Sequence, residues 1–186
     1  MTGVLTAGHG TASRDELAAL LQQAGVDRVC DIRRFPGSRH NPAVARDALA
    51  TWLPDHGIAY RWEPRLGGRR RVPAGQDPAV DGWWRVTAFR AYAAHMRTPE
   101  FADGMAELLR LAAADRTLIL CSEAVWWRCH RRLVADALTL LHDTPVHHLM
   151  HDGTLVAHPP SEGARVTADG LRYDATPAPS TRVPVS

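Results

Sequence analysis

The sequence predicts an α/β fold of three layers: a mainly parallel sheet of about five strands flanked by helices, followed by a C-terminal hairpin. Two observations predict it. Short apolar runs alternate with longer stretches of helical periodicity, the pattern that right-handed crossovers over a buried sheet produce. In addition, His9, Asp31, Arg33, Glu63, Cys121 and Glu123 all fall at the carboxyl ends of strand-like runs. Parallel sheets bind their ligands there, so these residues are expected to converge on one crevice.

Val4-Leu5-Thr6-Ala7 reads as the first strand, ended by Gly8-His9-Gly10. Ser13 and Glu16 have the spacing of a capping box, opening a helix through Leu17, Leu20 and Leu21 that closes at Gly25. Arg28-Val29-Cys30-Asp31-Ile32 is the second strand, followed by turn-rich residues 33–40. Asn41-Pro42 predicts a helix start, with Asn as cap and Pro at the first helical position. That helix carries Val44, Leu49, Trp52 and Leu53 and stops near Pro54 and Gly57. Ile58-Ala59-Tyr60-Arg61-Trp62 is a third strand, and residues 63–84 form a long irregular segment. A loop of that length is usually functional or disordered.

Helical periodicity returns from Val86 to Met96, and Thr98-Pro99-Glu100 starts a helix that runs to about Ala114. Thr117-Leu118-Ile119-Leu120 is the clearest buried strand, and Leu133, Val134, Ala137, Leu138 and Leu141 mark the helix beyond Cys121. Val146-His147-His148-Leu149 is a fifth strand, turned by His151-Asp152-Gly153 into Thr154-Leu155-Val156. Residues 1–158 thus read as a single α/β domain. Residues 159–186 read as a Pro/Ser/Thr-rich tail, partly disordered or forming a weak hairpin at Ala168-Asp169-Gly170.

Composition narrows the chemistry. The 186 residues are 45% hydrophobic and 23% charged, an ordinary globular balance. No apolar stretch is long enough for a membrane span, and the N-terminus has no signal-peptide pattern. Three cysteines and no such signal predict free thiols in a reducing cytoplasm. All 22 strongly basic residues are arginine. The absence of lysine excludes Schiff-base enzymes, phosphate-loop NTPases and kinase chemistry. Residues 28–97 hold 13 arginines against 6 acids, a +7 zone in a chain of net charge +2. Such a zone points to an anionic partner, either a small molecule or nucleic acid.

Three motifs carry chemistry. In Cys121-Ser122-Glu123-Ala124-Val125-Trp126-Trp127-Arg128-Cys129-His130-Arg131, nearby arginines and a helix N-terminus favour a thiolate. Cys121 is the candidate nucleophile, with Glu123 and His130 as acid/base groups and Asp31 and His9 as further catalytic candidates. Cys121, Cys129, His130 and His9 are the candidate metal ligands. If Cys129 and His130 lie on a helix they point about 100° apart, which argues against joint ligation. Adjacent His147 and His148 likewise face opposite sides of a strand. The second motif, Asp31 to Pro42, puts Arg33 and Arg39 around a Gly37-Ser38 turn ahead of a helix, a plausible anion cradle; an Asp31–Arg33 ion pair is the structural alternative. The third, Leu66-Gly67-Gly68-Arg69-Arg70-Arg71 with Trp83-Trp84-Arg85, combines close-approach glycines with groups that hold phosphate and stack on rings. Gly67, Gly68, Arg131 and Trp127 complete the substrate-binding candidates.

These motifs together resemble the domain-of-unknown-function family numbered 488. The matching residues are Gly8-His9-Gly10, Asp31-Ile32-Arg33 with Phe35-Pro36-Gly37-Ser38-Arg39, Asn41-Pro42, Leu66-Gly67-Gly68, Cys121-x-Glu123 and Cys129-His130-Arg131. The resemblance implies a compact α/β domain and no established reaction. Three readings follow. The first is an enzyme acting on a phosphate-bearing or nucleobase-bearing substrate. The second is a nucleic-acid-binding or repair-associated module using the Arg/Trp-rich middle segment. The third is a metal-binding protein.

Overall fold

The computed structural model describes residues 3–77 and 79–174. Its strands are β1 (Val4–Gly8), β2 (Arg28–Asp31), β3 (Ala59–Trp62), β4 (Thr117–Cys121), β5 (Val146–Leu149), β6 (Leu155–Ala157), β7 (Ala164–Thr167) and β8 (Gly170–Tyr173). Its helices are α1 (Arg14–Gln23), α2 (Arg46–Asp55), α3 (Thr87–His95), α4 (Pro99–Ala114) and α5 (Arg131–His142). The main sheet has the order β3-β2-β4-β1-β5-β6. Its first five strands are parallel and β6 is antiparallel to β5. The expected α/β architecture is the one observed.

Strand periodicity divides the core. Leu5, Val29, Leu118 and Leu120 face α1 and α2, where they meet Leu17, Leu21, Leu49 and Leu53. Val4, Cys30, Ile119 and Val146 face the other way, onto Tyr92, Met105, Leu108, Leu133 and Leu138 of α3, α4 and α5. The crossover from β2 to β3 therefore lies on one face and that from β4 to β5 on the other. Adjacent strands β2 and β4 thus send their connections apart, and a crevice opens beyond their carboxyl ends.

Local signals explain the boundaries. Ser13 accepts from the Glu16 amide while the Glu16 carboxylate takes the Ser13 amide, the expected capping box. Gly25 closes that helix at φ 64°. The helix expected from Asn41 is split: residues 42–44 form a 3-10 turn, and α2 begins only at Arg46. Asn41 Nδ2 donates to the Ala12 carbonyl and its side chain makes no capping bond, while Ala45 is extended and the Arg46 amide turns to the Pro36 carbonyl. The long segment after β3 is ordered by buried anchors. Leu66 lies in a 3-10 turn (Pro64–Leu66), Asp81 pairs with Arg97, and Trp84 packs on Tyr173.

Beyond residue 158 the chain forms the β7–β8 hairpin, with Leu171 and Tyr173 buried in the α3–α5 layer. Fully buried Asp136 of α5 accepts from the Tyr173 hydroxyl (2.9 Å), the Ser161 amide (2.9 Å) and His158 Nε2 (2.9 Å). His158 continues to His148 (3.0 Å), which reaches the Thr6 hydroxyl (2.7 Å). The hairpin is therefore stitched to the sheet by a buried polar chain in which each member meets a partner. Residues 175–186 lie outside the described residues.

Two outcomes follow from this chain. Tyr173→Phe should lower unfolding free energy by about 1.5 kcal/mol, and Asp136→Ala by about 3 kcal/mol or more, since it strands several buried donors. Urea midpoints read both, and unshifted midpoints would detach the hairpin from the stability of the domain. Burial holds His148 at a pKa of about 3, with His158, Arg131 and His147 adding repulsion to its charged form. The unfolded chain takes up a proton below about 6.5 that the folded state refuses. Stability should therefore fall as pH drops from about 6.5 toward 3, with a limiting slope of about 1.4 kcal/mol per pH unit. His148→Gln should flatten that limb of the curve of urea midpoint against pH.

Candidate active site

The β4 register sets Cys121 opposite Gly8, at the sheet's carboxyl edge. The loop that follows is held from inside. Arg131, only 2% exposed, donates one guanidinium nitrogen to the Glu123 carbonyl and another to the Ala124 carbonyl (2.8 Å). Gly8 makes this possible, because a Cβ there would collide with the Glu123 carbonyl and the Arg131 guanidinium. The glycine on β1 thus allows the β4 loop to lie directly against it.

At the far end of the loop, Cys129 is extended (φ −118°, ψ 147°) and follows a 3-10 turn (Trp126–Arg128). His130 is helical in conformation (φ −58°, ψ −20°) and caps α5. The two residues therefore do not share a helix, and their side chains converge instead of diverging by 100°. The Cys121 and Cys129 sulfurs lie 3.1 Å apart, and His130 Nδ1 is 3.7 Å from each. Both cysteines are buried. The Cys129 thiol donates to Cys121, and His130 and Arg131 add favourable charge, so Cys121 is held well below the usual thiol range despite its burial. Burial and that same donated bond push Cys129 well above it.

The cluster forms the floor of a cleft of about 250 Å³. Arg33, Arg34 and Phe35 wall it from the segment after β2, Gly68 and Arg69 from the long loop, Ala88, Phe89 and Tyr92 from α3, and Ser122, Glu123 and Arg128 from the loop after β4. The His130 ring sits between Tyr92, 5.0 Å centroid to centroid, and Gly68, where a Cβ would come within 2.9 Å of Nδ1. Tyr92 is fixed by its hydroxyl on the Leu66 carbonyl (2.6 Å), and its own ionisation is suppressed by burial.

Several expected site residues are engaged in contacts within the fold. Asp31 is fully buried in a two-pronged ion pair with Arg33 (2.8 and 2.6 Å) and also accepts from Tyr60. Arg33 Nη2 also donates to the Val44 carbonyl (2.8 Å), and Nη1 lies 3.2 Å from His9 Nε2, so the guanidinium braces the cleft wall that it lines. His9 lies outside the Cys121–Cys129–His130 group, and its other ring nitrogen meets the Gly10 carbonyl. Burial depresses its pKa. Arg131 is engaged with the loop carbonyls of Glu123 and Ala124. Glu63 is buried against Arg65. Gly67 packs on the Arg34 backbone, while Arg39 and Trp127 are exposed and do not line the cleft. Cys121, Glu123, His130 and Gly68 are brought together as expected.

Arg34, Arg69, Arg128, Phe35, Phe89 and Tyr92 were not singled out as individual site residues in the sequence. Arg34, Phe35, Arg69 and Arg128 carry a signal only as members of the three motifs, and Phe89 and Tyr92 only as part of the helical run from Val86 to Met96. Arg69 adopts a left-handed backbone (φ 57°), an uncommon conformation for a residue with a side chain, and Arg34 donates to its carbonyl.

Fold and site together define an α/β protein with a Cys-Cys-His cluster in an arginine-walled cleft at its strand carboxyl ends. The chain belongs to the family described as Domain of unknown function DUF488, which matches residues 13–138. No curated protein and no solved structure matches it. Among the described residues, no helix is long and apolar enough to cross a membrane.

If the site depends on glycine contacts, Gly8→Ala should cost about 1–3 kcal/mol through overpacking of the loop. Gly37→Ala, whose Cβ would meet nothing within 4 Å, should be near neutral. Thermal unfolding of the two variants checks this, and equal melting temperatures would refute the contact.

Proposed function

We propose that the protein is an enzyme acting on a small phosphate-bearing or nucleobase-bearing substrate, with the Cys121–Cys129–His130 cluster as its reacting centre and Glu123 as its proton-transfer group. The observation that carries this reading is the meeting, in one cleft, of that cluster with Arg34, Arg69 and Arg128 and the rings of Phe35 and Phe89. Guanidinium groups suit a phosphate through forked, charge-assisted bonds. Phe35, 63% exposed at the rim, and Phe89 offer faces on which a ring can rest.

The size of the cleft favours a small ligand. At about 250 Å³ it lies just below the usual range of roughly 300–1,000 Å³ for small-molecule sites. The nucleic-acid reading has less support. Of the thirteen arginines between residues 28 and 97, Arg28, Arg33, Arg46, Arg61, Arg65, Arg70 and Arg97 are each paired with an acid. Much of the basic zone is thereby neutralised within the fold.

Calorimetric titration tests the substrate class. A nucleoside monophosphate should bind more tightly than either inorganic phosphate or the bare nucleoside. Arg34→Ala or Arg128→Ala should weaken it about tenfold, a loss of about 1.4 kcal/mol. Once a turned-over substrate is in hand, Glu123→Gln should retain binding and slow turnover by about 100-fold or more. Preference for duplex DNA with steep salt dependence, and no affinity for mononucleotides, would reverse the choice between the two readings.

A further inference from the structure

We propose that Cys121, Cys129 and His130 are the three protein ligands of a zinc ion whose fourth position opens into the cleft. This deepens the enzyme reading and rests on it for the role of the ion, although the binding site itself stands on geometry.

Tetrahedral zinc with Zn–S of about 2.3 Å and Zn–N of about 2.0–2.1 Å separates a sulfur and a nitrogen ligand by about 3.6 Å, and two sulfurs by about 3.8 Å. His130 Nδ1 is 3.7 Å from both sulfurs, close to the first spacing on two edges at once. The sulfur pair, at 3.1 Å, is tighter than the second spacing by about 0.7 Å, so metal binding requires the two sulfurs to move apart by that amount. A disulfide requires the sulfurs to close to about 2.05 Å, and it gives the equidistant imidazole nothing to do. All three donor atoms lie within 4.8 Å of one another.

The surroundings fit the same assignment. His130 Nδ1 is the ring nitrogen that faces the two sulfurs, while the buried Nε2 has no hydrogen-bond partner among the described residues. Gly68 and Tyr92 hold the ring in that orientation from its two sides. Two thiolates and one imidazole form a donor set that selects zinc over the hard cations. Two thiolates also neutralise the divalent charge, which lets the ion sit in a largely buried place. Three protein ligands are the number that catalytic zinc sites use, the remaining position being kept for water or substrate.

Glu123, two residues beyond Cys121 and on the cleft wall, is not part of the ligand group. It is placed to serve as the base. A zinc-bound water transfers a proton to the Glu123 carboxylate while its oxygen bonds to the electrophilic carbon or phosphorus of the substrate. The bond from that atom to the leaving group then breaks, and the leaving group departs with the proton returned by Glu123. The net change is hydrolysis, one water consumed per bond cleaved, with no change of oxidation state. A non-ligand glutamate beside a His/Cys/Cys zinc is a known general solution for aminohydrolysis of a base. The class of reaction assigned is therefore zinc-assisted hydrolysis of a ring-bearing anion.

The test uses the full chain purified without an affinity tag. Elemental analysis should give one zinc per chain. Cobalt added to the chelator-treated protein should give the thiolate-to-cobalt charge-transfer band and the intense visible bands of a tetrahedral site. Cys129→Ser and His130→Ala should each lose stoichiometric metal, and circular dichroism confirms that a variant used for this comparison is folded. Should both variants fail to fold, the cobalt spectrum of the unaltered chain decides alone. Substoichiometric zinc together with a featureless cobalt titration overturns the proposal, as does full zinc retention in the folded His130→Ala variant. Nucleotide affinity is measured in parallel on the chelator-treated protein. Nucleotide binding together with a failed zinc and cobalt test would remove the metal and leave the substrate class standing, whereas stoichiometric metal without nucleotide binding would do the reverse.

Discussion

The buried guanidinium of Arg131 is the interaction on which the site depends. It lies at the first position of α5 and reaches back to the carbonyls of Glu123 and Ala124, closing the segment between β4 and α5 into a compact loop. Buried carbonyls need donors, and a planar group with several N–H donors meets two of them at once. The loop's two ends are then fixed relative to each other, which brings Cys121 to Cys129 and His130. Gly8 supplies the space for this on β1, and the switch in connection direction between β2 and β4 supplies the crevice above it. Sheet topology, a missing Cβ and one arginine thus act in series to produce a single cluster.

The arginines divide into two populations by partner. Arg33, Arg65, Arg70 and Arg97 are chelated by acids, and Arg70 and Arg97 also hold loop carbonyls. Their work is to order the long irregular segments that follow β2 and β3. Arg34, Arg69 and Arg128 stand around the cleft instead. In a chain without lysine, composition could not separate these groups, because the same residue type serves as internal strut and as surface cation. Only the positions of acids in space distinguish them.

That explains the pattern of what was legible. Elements were readable because periodicity, the Ser13–Glu16 box and the Thr98-Pro99 start are local, and the crevice was readable because strand carboxyl ends are a topological location. Of the residues expected to converge, Arg33, Cys121 and Glu123 line the cleft, whereas His9, Asp31 and Glu63 lie outside its lining. Role was harder: Asp31 and Arg33 satisfy each other, a fact about side-chain geometry that sequence spacing leaves open. The pairing of Cys129 with His130 was discounted on the premise of a helix. One extended residue before the first turn of α5 changes that outcome, and helix starts are where sequence patterns locate boundaries least well. Tyr92 and Phe89 come from α3, whose packing over β4 depends on the whole fold.

The missing lysine has a last consequence at the cleft itself. Every cation on its wall is a guanidinium, which keeps its charge throughout the working pH range and can orient an anion without exchanging protons with it. Tyr92 is removed from proton traffic by burial. If Cys121, Cys129 and His130 hold the proposed ion together, the side chain on the cleft wall left to carry a proton between water and substrate is Glu123. The carboxylate stands at the rim, where exposed surface lets it exchange with solvent between turnovers. In the proposed reaction, binding and proton transfer are thus divided between residue types that cannot substitute for one another, arginine for the first and glutamate for the second.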